Sequence, residues 1–437
     1  MVVAFIAVVA AWADGPTAGE PLPAPADLRV DAGRIEARIL KLGTYGANPA
    51  GGVSRLAYSA ADIAGRGYII DLMRAAGLEV RLDAAANIIG RRPGSDPDLP
   101  PIMFGSHIDS VPHGGNYDGD LGVIAAIECM QVLDERDIVT RHPLEAIVFT
   151  DEEGGLVGSR AVIGELTDDA LAVVSHSGLT VREGIAALGG SPDDLAAAVR
   201  PKDSIKAFLE LHIEQGAILD EANIDIGVVE GIVGINWWTA TIEGVANHAG
   251  TTPMNRRQDA LLAAAHLIVA VNEEVRSIEG THVGTVGRIS AEPGAPNVIA
   301  GRVVLSIELR DLSSDRIQAL FGKIVQAARR IEQSTRTGIS LEPIDAASEP
   351  APTDALLRRI IDESARDLGL STRSMPSGAG HDAQDMARIT RIGMIFVPSA
   401  GGISHSPHEL THREDMANGA NVLLRAILSI DRGALDR

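Results

Sequence analysis

Four short apolar runs, each ending in side chains of the kind that bind metals, constrain this chain more than any other feature: PIMFGSHID, LEAIVFTDEE, AFLELHIEQG and IGMIFVPSAGGISH. Each is of strand length and closes on turn residues, and longer patterns of helical period lie between them, an alternation that indicates an α/β fold. In open α/β sheets binding sites gather at the carboxyl ends of strands, so the four polar clusters are expected to converge in space. The stretch SHIDSVPHGGNYDGD, residues 106–120, packs two histidines and three aspartates among three glycines and a proline. It is too broken for a helix. Its imidazoles and carboxylates share one strong chemical use, the binding of a divalent transition metal.

At 437 residues the chain exceeds one ordinary core, and two domains are expected. Aromatic residues are only 3% of it, so Ala, Val, Ile and Leu must fill the interior, which suits close packing of helices on a sheet. With 59 acidic against 38 basic side chains, a net charge of −21 would repel a phosphate backbone. No nucleic acid and no membrane is expected as a partner; a small or zwitterionic substrate fits better. The single cysteine, Cys129, allows no intrachain disulfide and no thiolate cage, and its setting in LGVIAAIECMQVL marks a buried structural thiol.

Between about Gly234 and Pro343 the pattern changes. WWTATIEG and HVGTVGRIS read as strands, DALLAAAHLIVAVNEEV as a helix, RVVLSIELRD as a further strand and GISLEPI as the last. From Asp315 onward, Ile317, Leu320, Phe321, Ile324, Val325, Ala328 and Ile331 recur at helical spacing, the stripe of an amphipathic helix lying on a sheet. Strand-helix-strand-strand-helix-strand describes a small α+β sandwich inserted into the larger domain.

Taken singly, each cluster has a bland reading. His107, Asp109 and Asp118 could decorate a surface loop. Glu152 and Glu153 could be a solvated acidic turn, although neighbouring side chains on extended backbone point to opposite sides, leaving one for a metal and one for a water. His212, between Leu211 and Ile213, could be a core histidine, and His405, in a glycine-rich loop, a turn residue. Together the clusters offer three histidines, an aspartate and a glutamate. That is the set a two-metal hydrolase needs: a bridging carboxylate plus two further ligands for each ion, with the ions about 3.5–4 Å apart.

The motifs GSHIDSVPHGGNYDGDLGV, DEEGG…GSRA, ELHIEQG, NHAGTTPM, APNVIAGRVVLSIELRD, SGAGHDA and GISHSPHE occur in that order between about Arg34 and the C-terminus. In them the chain resembles the hydantoinase/carbamoylase family of amidases, dinuclear metal amidohydrolases related to aminoacylases and carboxypeptidases. The resemblance implies a large mixed-sheet α/β metallohydrolase domain, residues 31–233 and 344–437, with a βαββαβ lid and dimerisation domain at 234–343. It implies that His107, Asp118 and His212 hold one divalent ion and that Asp118, Glu153 and His405 hold another, zinc, manganese, cobalt or nickel, with Asp118 as the bridge. Asp109 would orient His107 through its second ring nitrogen. Glu152 would be the general base, taking a proton from water and passing it to the leaving nitrogen.

By the same resemblance the protein is a homodimer in which His248 reaches a neighbouring site to stabilise the oxyanion. Asn297 and Arg310 would grip the substrate carboxylate, for which the planar fork of arginine is suited. Gln215 and His381 would meet the ureido or amide end. For Arg310 alone, a salt bridge with Asp311 or Glu308 is the competing reading. The implied substrate is an N-carbamoyl amino acid, cleaved to the free amino acid, CO2 and ammonia. Allantoate or another ureido acid, an N-acyl amino acid and a dipeptide are alternatives that use the same machinery. A catalytically inactive binding relative would have no need of Glu152, and a two-metal phosphoesterase would need a cationic clamp that is missing here. The chain departs from the family where many members follow the paired glutamates with Gly-x-Arg-Phe: Leu156 and Val157 stand where that Arg and Phe would fall, which bears on the substrate and not on the metal chemistry.

Residues 1–30 read as a possible signal peptide and linker. The apolar run from Val2 to Ala11 and the small-x-small Ala11-Trp12-Ala13 fit export to the periplasm, but no Lys or Arg precedes the run. The rival is a cytoplasmic protein with a disordered tail or a misplaced start, and PTAGEPLPAPADL reads as linker either way.

Overall fold

The computed structural model describes residues 28–436. The expected signal segment lies outside them. Six strands come first: β1 (Glu79–Leu82), β2 (Ile88–Arg92), β3 (Ile102–His107), β4 (Leu144–Phe149), β5 (Ala207–Ile213) and β6 (Ile226–Ile232). Then come β7 (Gly234–Glu243), β8 (Asn247–His248), β9 (Val283–Glu292), β10 (Val298–Ile299), β11 (Arg302–Asp311) and β12 (Gly338–Ser348), and finally β13 (Ala351–Pro352), β14 (Thr372–Ser377) and β15 (Ile392–Val397).

A nine-stranded mixed sheet is ordered β1-β2-β4-β3-β5-β15-β6-β13, with β14 also on β6. Its centre, β4, β3, β5 and β15, is parallel. These are the four apolar runs, and because they share one direction their polar ends lie along one edge. Alternation sends their side chains into two cores. Phe104, Leu209, Leu211 and Ile395 pack under the helices Ala32–Leu42, Asp120–Glu135, Ala355–Arg366 and Arg413–Asp431. Met103, Phe149, Phe208 and Phe396 pack on the other face with Val157–Val162 and Asp382–Met386. Every residue of β3, β4, β5 and β15 is buried, and each fully buried Leu, Ile or Phe contributes about 1.5–3 kcal/mol. Helix Asp120–Glu135 is apolar on most of its surface because it lies between sheet and helices, and Cys129 is fully buried in it, as expected of a structural thiol.

The second sheet, β12-β7-β11-β9, is antiparallel throughout. Helices Ala260–Arg276 and Ser314–Thr335 cover one face, with Ile317, Leu320, Ile324, Ala328 and Ile331 buried against it and Phe321 stacked on Trp238, centroids 4.0 Å apart. Strand β12 continues to Ser348, past the Pro343 at which the pattern had ended. A small ribbon pairs β8 with β10. Among the described residues no helix is long and apolar enough to cross a membrane.

Candidate functional site

Strand β3 ends on His107, and β5 carries His212 one residue before its end. Period two puts His107 on the face of Met103, and His212 on the face of Phe208 and Glu210; the two rings are 5.9 Å apart. Each ring is anchored at Nδ1 on a main-chain carbonyl, His107 on Asp109 O at 3.0 Å and His212 on Ile213 O at 2.9 Å. Donation from Nδ1 assigns the tautomer and leaves both Nε2 lone pairs facing the site. They lie 3.5 Å and 3.1 Å from Asp118 Oδ1. The turn that delivers Asp118 presses on His107 so closely that a Cβ at Gly119, whose φ is +66°, would sit 2.5 Å from the ring, so only glycine fits there.

The other oxygen of Asp118 faces the loops after β4 and β15. Asp118 Oδ2 is 3.2 Å from His405 Nε2 and accepts from Gln215 Nε2 at 2.7 Å and Ser404 Oγ at 3.1 Å. Glu153 Oε1, buried and accepting no hydrogen bond, is 3.4 Å from His405 Nε2. On the His107 side, Glu152 Oε2 is 3.7 Å from Nε2. The donor atoms of His107, Asp118 and His212, and those of Asp118, Glu153 and His405, each fall within 4.8 Å of one another. A third such group joins Glu210, His212 and His381.

The electrostatics also fit a cation. Burial pushes Glu152 well above the usual carboxylate range, with His107 pulling the other way, and burial together with the charge of Asp118 pushes Glu153 up to about 7. Burial works against ionisation of Asp118 too, yet His212, His107 and His405 hold it well below its ordinary value. His405 is raised to about 9, first by its hydrogen bond to Asp118. Imidazole opposes this concentration of buried carboxylate, and a divalent ion on the Nε2 lone pairs, where His212 accepts from Gly119 N at 3.2 Å, would relieve it. The residues fit a metal of the N/O-binding transition series.

Several expected residues sit differently from the expectation. The carboxylate of Asp109 is 3.8 Å from His107 Nδ1, and it is the carbonyl of Asp109 that takes that proton; the carboxylate instead accepts from Glu152 N and Glu153 N, at 3.2 Å and 3.1 Å, fixing the paired glutamates. His381 is buried, bonded through Nε2 to Ser377 Oγ at 2.8 Å and set edge-on against His212, centroids 4.5 Å apart. Gln215 reaches Asp118, and its buried Oε1 has no partner. Arg310 pairs with Glu308 at 2.7 Å, the competing reading for it, while its Nη1 donates to Gly378 O at 2.7 Å across to the large sheet. His248 and Asn297 are exposed neighbours on the ribbon, where Ala249 N donates to Asn297 O, and no hydrogen bond or ion pair links either to the His107–Asp118 cluster among the described residues. His248 Nδ1 accepts from Gly250 N and Thr251 N, leaving the proton on Nε2 to be donated outward.

Two supports escaped the sequence reading. Glu210, fully buried, accepts from Ser106 Oγ and Ala383 N and so ties β3 and the loop of His381 to β5; a charged residue inside an apolar strand, two before His212, was its signal. Arg55 is buried with its Nη2 on the carboxylate of Asp120, and its Nε and Nη1 donate to Ile108 O and Leu42 O. It braces the segments on both sides of His107 and Asp118. Truncating one partner of such a pair costs about 3–5 kcal/mol, but nothing local in the sequence links residues 55 and 120.

Residues 103–429 match the model of peptidase family M20/M25/M40. The chain is 40% identical over 405 residues to an N-carbamoyl-L-amino acid amidohydrolase of Geobacillus stearothermophilus, covering 92% of this chain and 98% of that one. It is 39% identical over 418 residues to a ureidoglycolate hydrolase of Arabidopsis thaliana, covering 92% and 88%. A hydantoinase/carbamoylase family amidase of Burkholderia multivorans superposes with a TM-score of 0.87 at 35% identity, covering 92% and 98%. With its parallel strands ending in a shared His/Asp/Glu cluster and these likenesses spanning nearly its whole length, the chain belongs to the M20/M25/M40 hydrolases, in their hydantoinase/carbamoylase branch of amidases.

Proposed function

We propose that this amidohydrolase cleaves an N-carbamoyl-L-amino acid, with one water consumed, to the free amino acid, CO2 and ammonia, using two divalent ions per chain. The observation that carries the reading is Asp118, whose two oxygens face two separate donor sets, His107 with His212 and Glu153 with His405. His107, His212 and Asp118 would hold one ion, and Asp118, Glu153 and His405 the other. When bound, such ions polarise the substrate carbonyl and lower the pKa of water.

Glu152 takes a proton from the attacking water and delivers it to the amino nitrogen as the bond from that nitrogen to the carbamoyl carbon breaks. Its burial and raised proton affinity suit a group that must hold that proton between the two steps. Asp109 orients the Glu152 backbone. Arg310 and Asn297 bind the substrate carboxylate, for which Arg310 exchanges its bond with Glu308, and Gln215 and His381 face the ureido end. A cavity of about 280 Å³ beside Asp109 and Glu153, walled by Leu56, Val111, Val173 and Val174, suits an aliphatic side chain.

His248 of the partner subunit donates from Nε2 to the oxyanion. The small sheet supports a dimer: β9 is a free edge whose residues are exposed or half-exposed, and Leu261, Leu262 and Val269 are exposed on the adjoining helix, an unpaired edge with apolar flanks of the kind that pairs with a second copy. A panel of N-carbamoyl, N-formyl and N-acetyl amino acids, dipeptides, ureidoglycolate and allantoate, assayed after the apo-protein is reloaded with each metal, tests the substrate. Highest kcat/KM on N-carbamoyl-L-amino acids is expected; preference for ureidoglycolate or allantoate would replace the substrate and keep the chemistry.

A further inference from the structure

The two halves of the candidate metal centre are built differently. His107 and His212 belong to strands buried on both faces, so the sheet itself sets their spacing. Glu153 and His405 stand on loops; the His405 side chain is 47% exposed and its backbone has φ +53°. Loop ligands need another device to fix them, and for Glu153 it is the carboxylate of Asp109 on its backbone N–H.

For His405 and Asp118 one residue does this work. Glu409 is only 6% exposed, and both of its oxygens are used. Oε1 accepts from Tyr117 N at 2.8 Å and Asp118 N at 3.1 Å; Oε2 accepts from Ser404 Oγ at 2.9 Å and His405 N at 3.2 Å. One carboxylate therefore clamps the Asp118 loop to the His405 loop, segments that meet only in the folded protein. The fit is tight: a Cβ on Gly115 would lie 2.0 Å from Glu409 Oε1.

We infer that Glu409 is a positioning residue for the loop-built half of the metal centre, holding Asp118 and His405 at the separation an ion requires, while the strand-built half depends on it only through the shared Asp118. The inference rests on the two-ion reading above. Glu409→Gln preserves shape but not function, because an amide oxygen can serve one pair of donors while its NH2 group faces the other pair.

Calorimetric titration of chelator-stripped protein with Co2+, followed by the visible spectrum of each bound equivalent, tests it. Wild-type protein should take up two equivalents. Glu409→Gln should bind one equivalent about 10- to 100-fold more weakly, the usual effect of losing an outer hydrogen-bond partner of a ligand, with an altered spectrum, and the other, which meets the clamp only through Asp118, with a clearly smaller loss. Glu409→Asp, which keeps the charge but shortens the reach, should weaken the same equivalent. If the wild type binds two ions and Glu409→Gln weakens neither, or both alike, Glu409 has no such role. If the wild type binds only one, the two-ion reading fails, and this inference with it.

Discussion

The large and the small sheet differ in how much of each strand is hidden. In β3, β4, β5 and β15 every residue is buried, whereas β11 alternates between buried and half-buried and β9 is exposed or half-exposed along its whole length. A sheet covered on both faces holds the ends of its strands rigidly, and the polar groups there can be kept in place against the cost of burying them. The small sheet, covered on one face, carries His248 and Asn297 on an exposed ribbon and reaches toward the large sheet through Arg310 and Gly378 O. In the function proposed above, metal binding and proton transfer fall to the large sheet, and substrate grip and assembly to the small one.

Four substitutions would break or sharpen that division. The largest effect is expected from Asp118→Ala. It removes the only carboxylate among the described residues that faces both donor sets, so both ions and all measurable turnover should be lost together; elemental analysis finding two retained ions would end its role as the bridge. Glu152→Gln comes next. With shape kept and the proton acceptor gone, kcat should fall about 10²–10⁴-fold at unchanged metal content, and near-native turnover would mean that another group is the base.

On the small sheet, metal content should not move at all. His248→Ala is expected to cut kcat about 10²–10³-fold, the usual cost of one oxyanion donor. Co-expressing it with Glu152→Gln under different tags and purifying the mixed dimer should restore activity, since one site then combines an intact Glu152 with an intact His248. Activity no higher than either parent would place His248 in its own chain's site, or outside the chemistry. The smallest effect belongs to Arg310→Lys. An ammonium cannot reproduce the paired bonds of the guanidinium, so KM for free-acid substrates should rise about tenfold or more, in line with about 1.5–3 kcal/mol for a charge-assisted hydrogen bond. An unchanged ratio between free-acid and amide-capped substrates would leave Arg310 as the partner of Glu308 alone.

Much of this division is legible in the sequence. The four apolar runs became the parallel centre of the large sheet, and the helical stripe from Ile317 to Ile331 lies on the small one, since period two and period 3.6 are local properties of a chain. The clustering of His107, Asp118, Glu152, Glu153, His212 and His405 followed from four polar strand ends pointing one way. Position within the cluster was less legible. Asp109 has two groups able to receive the His107 proton, and which of them does so depends on where the backbone of Glu152 and Glu153 comes to rest.

The sequence by itself therefore determined the central strands, the elements of the inserted unit, the membership of the His/Asp/Glu cluster and the family, all of which are written in short stretches of periodicity and residue type. The tertiary structure alone decided the partners. It brought Arg55 onto Asp120, Glu210 onto Ser106, Glu409 onto the loops of Asp118 and His405, and Arg310 onto Glu308. A hydrogen bond is won by whichever donor or acceptor lies nearest in space, and for all of these but Arg310 and the Glu409–His405 bond the partner is tens to hundreds of residues away along the chain, where no local pattern could show it.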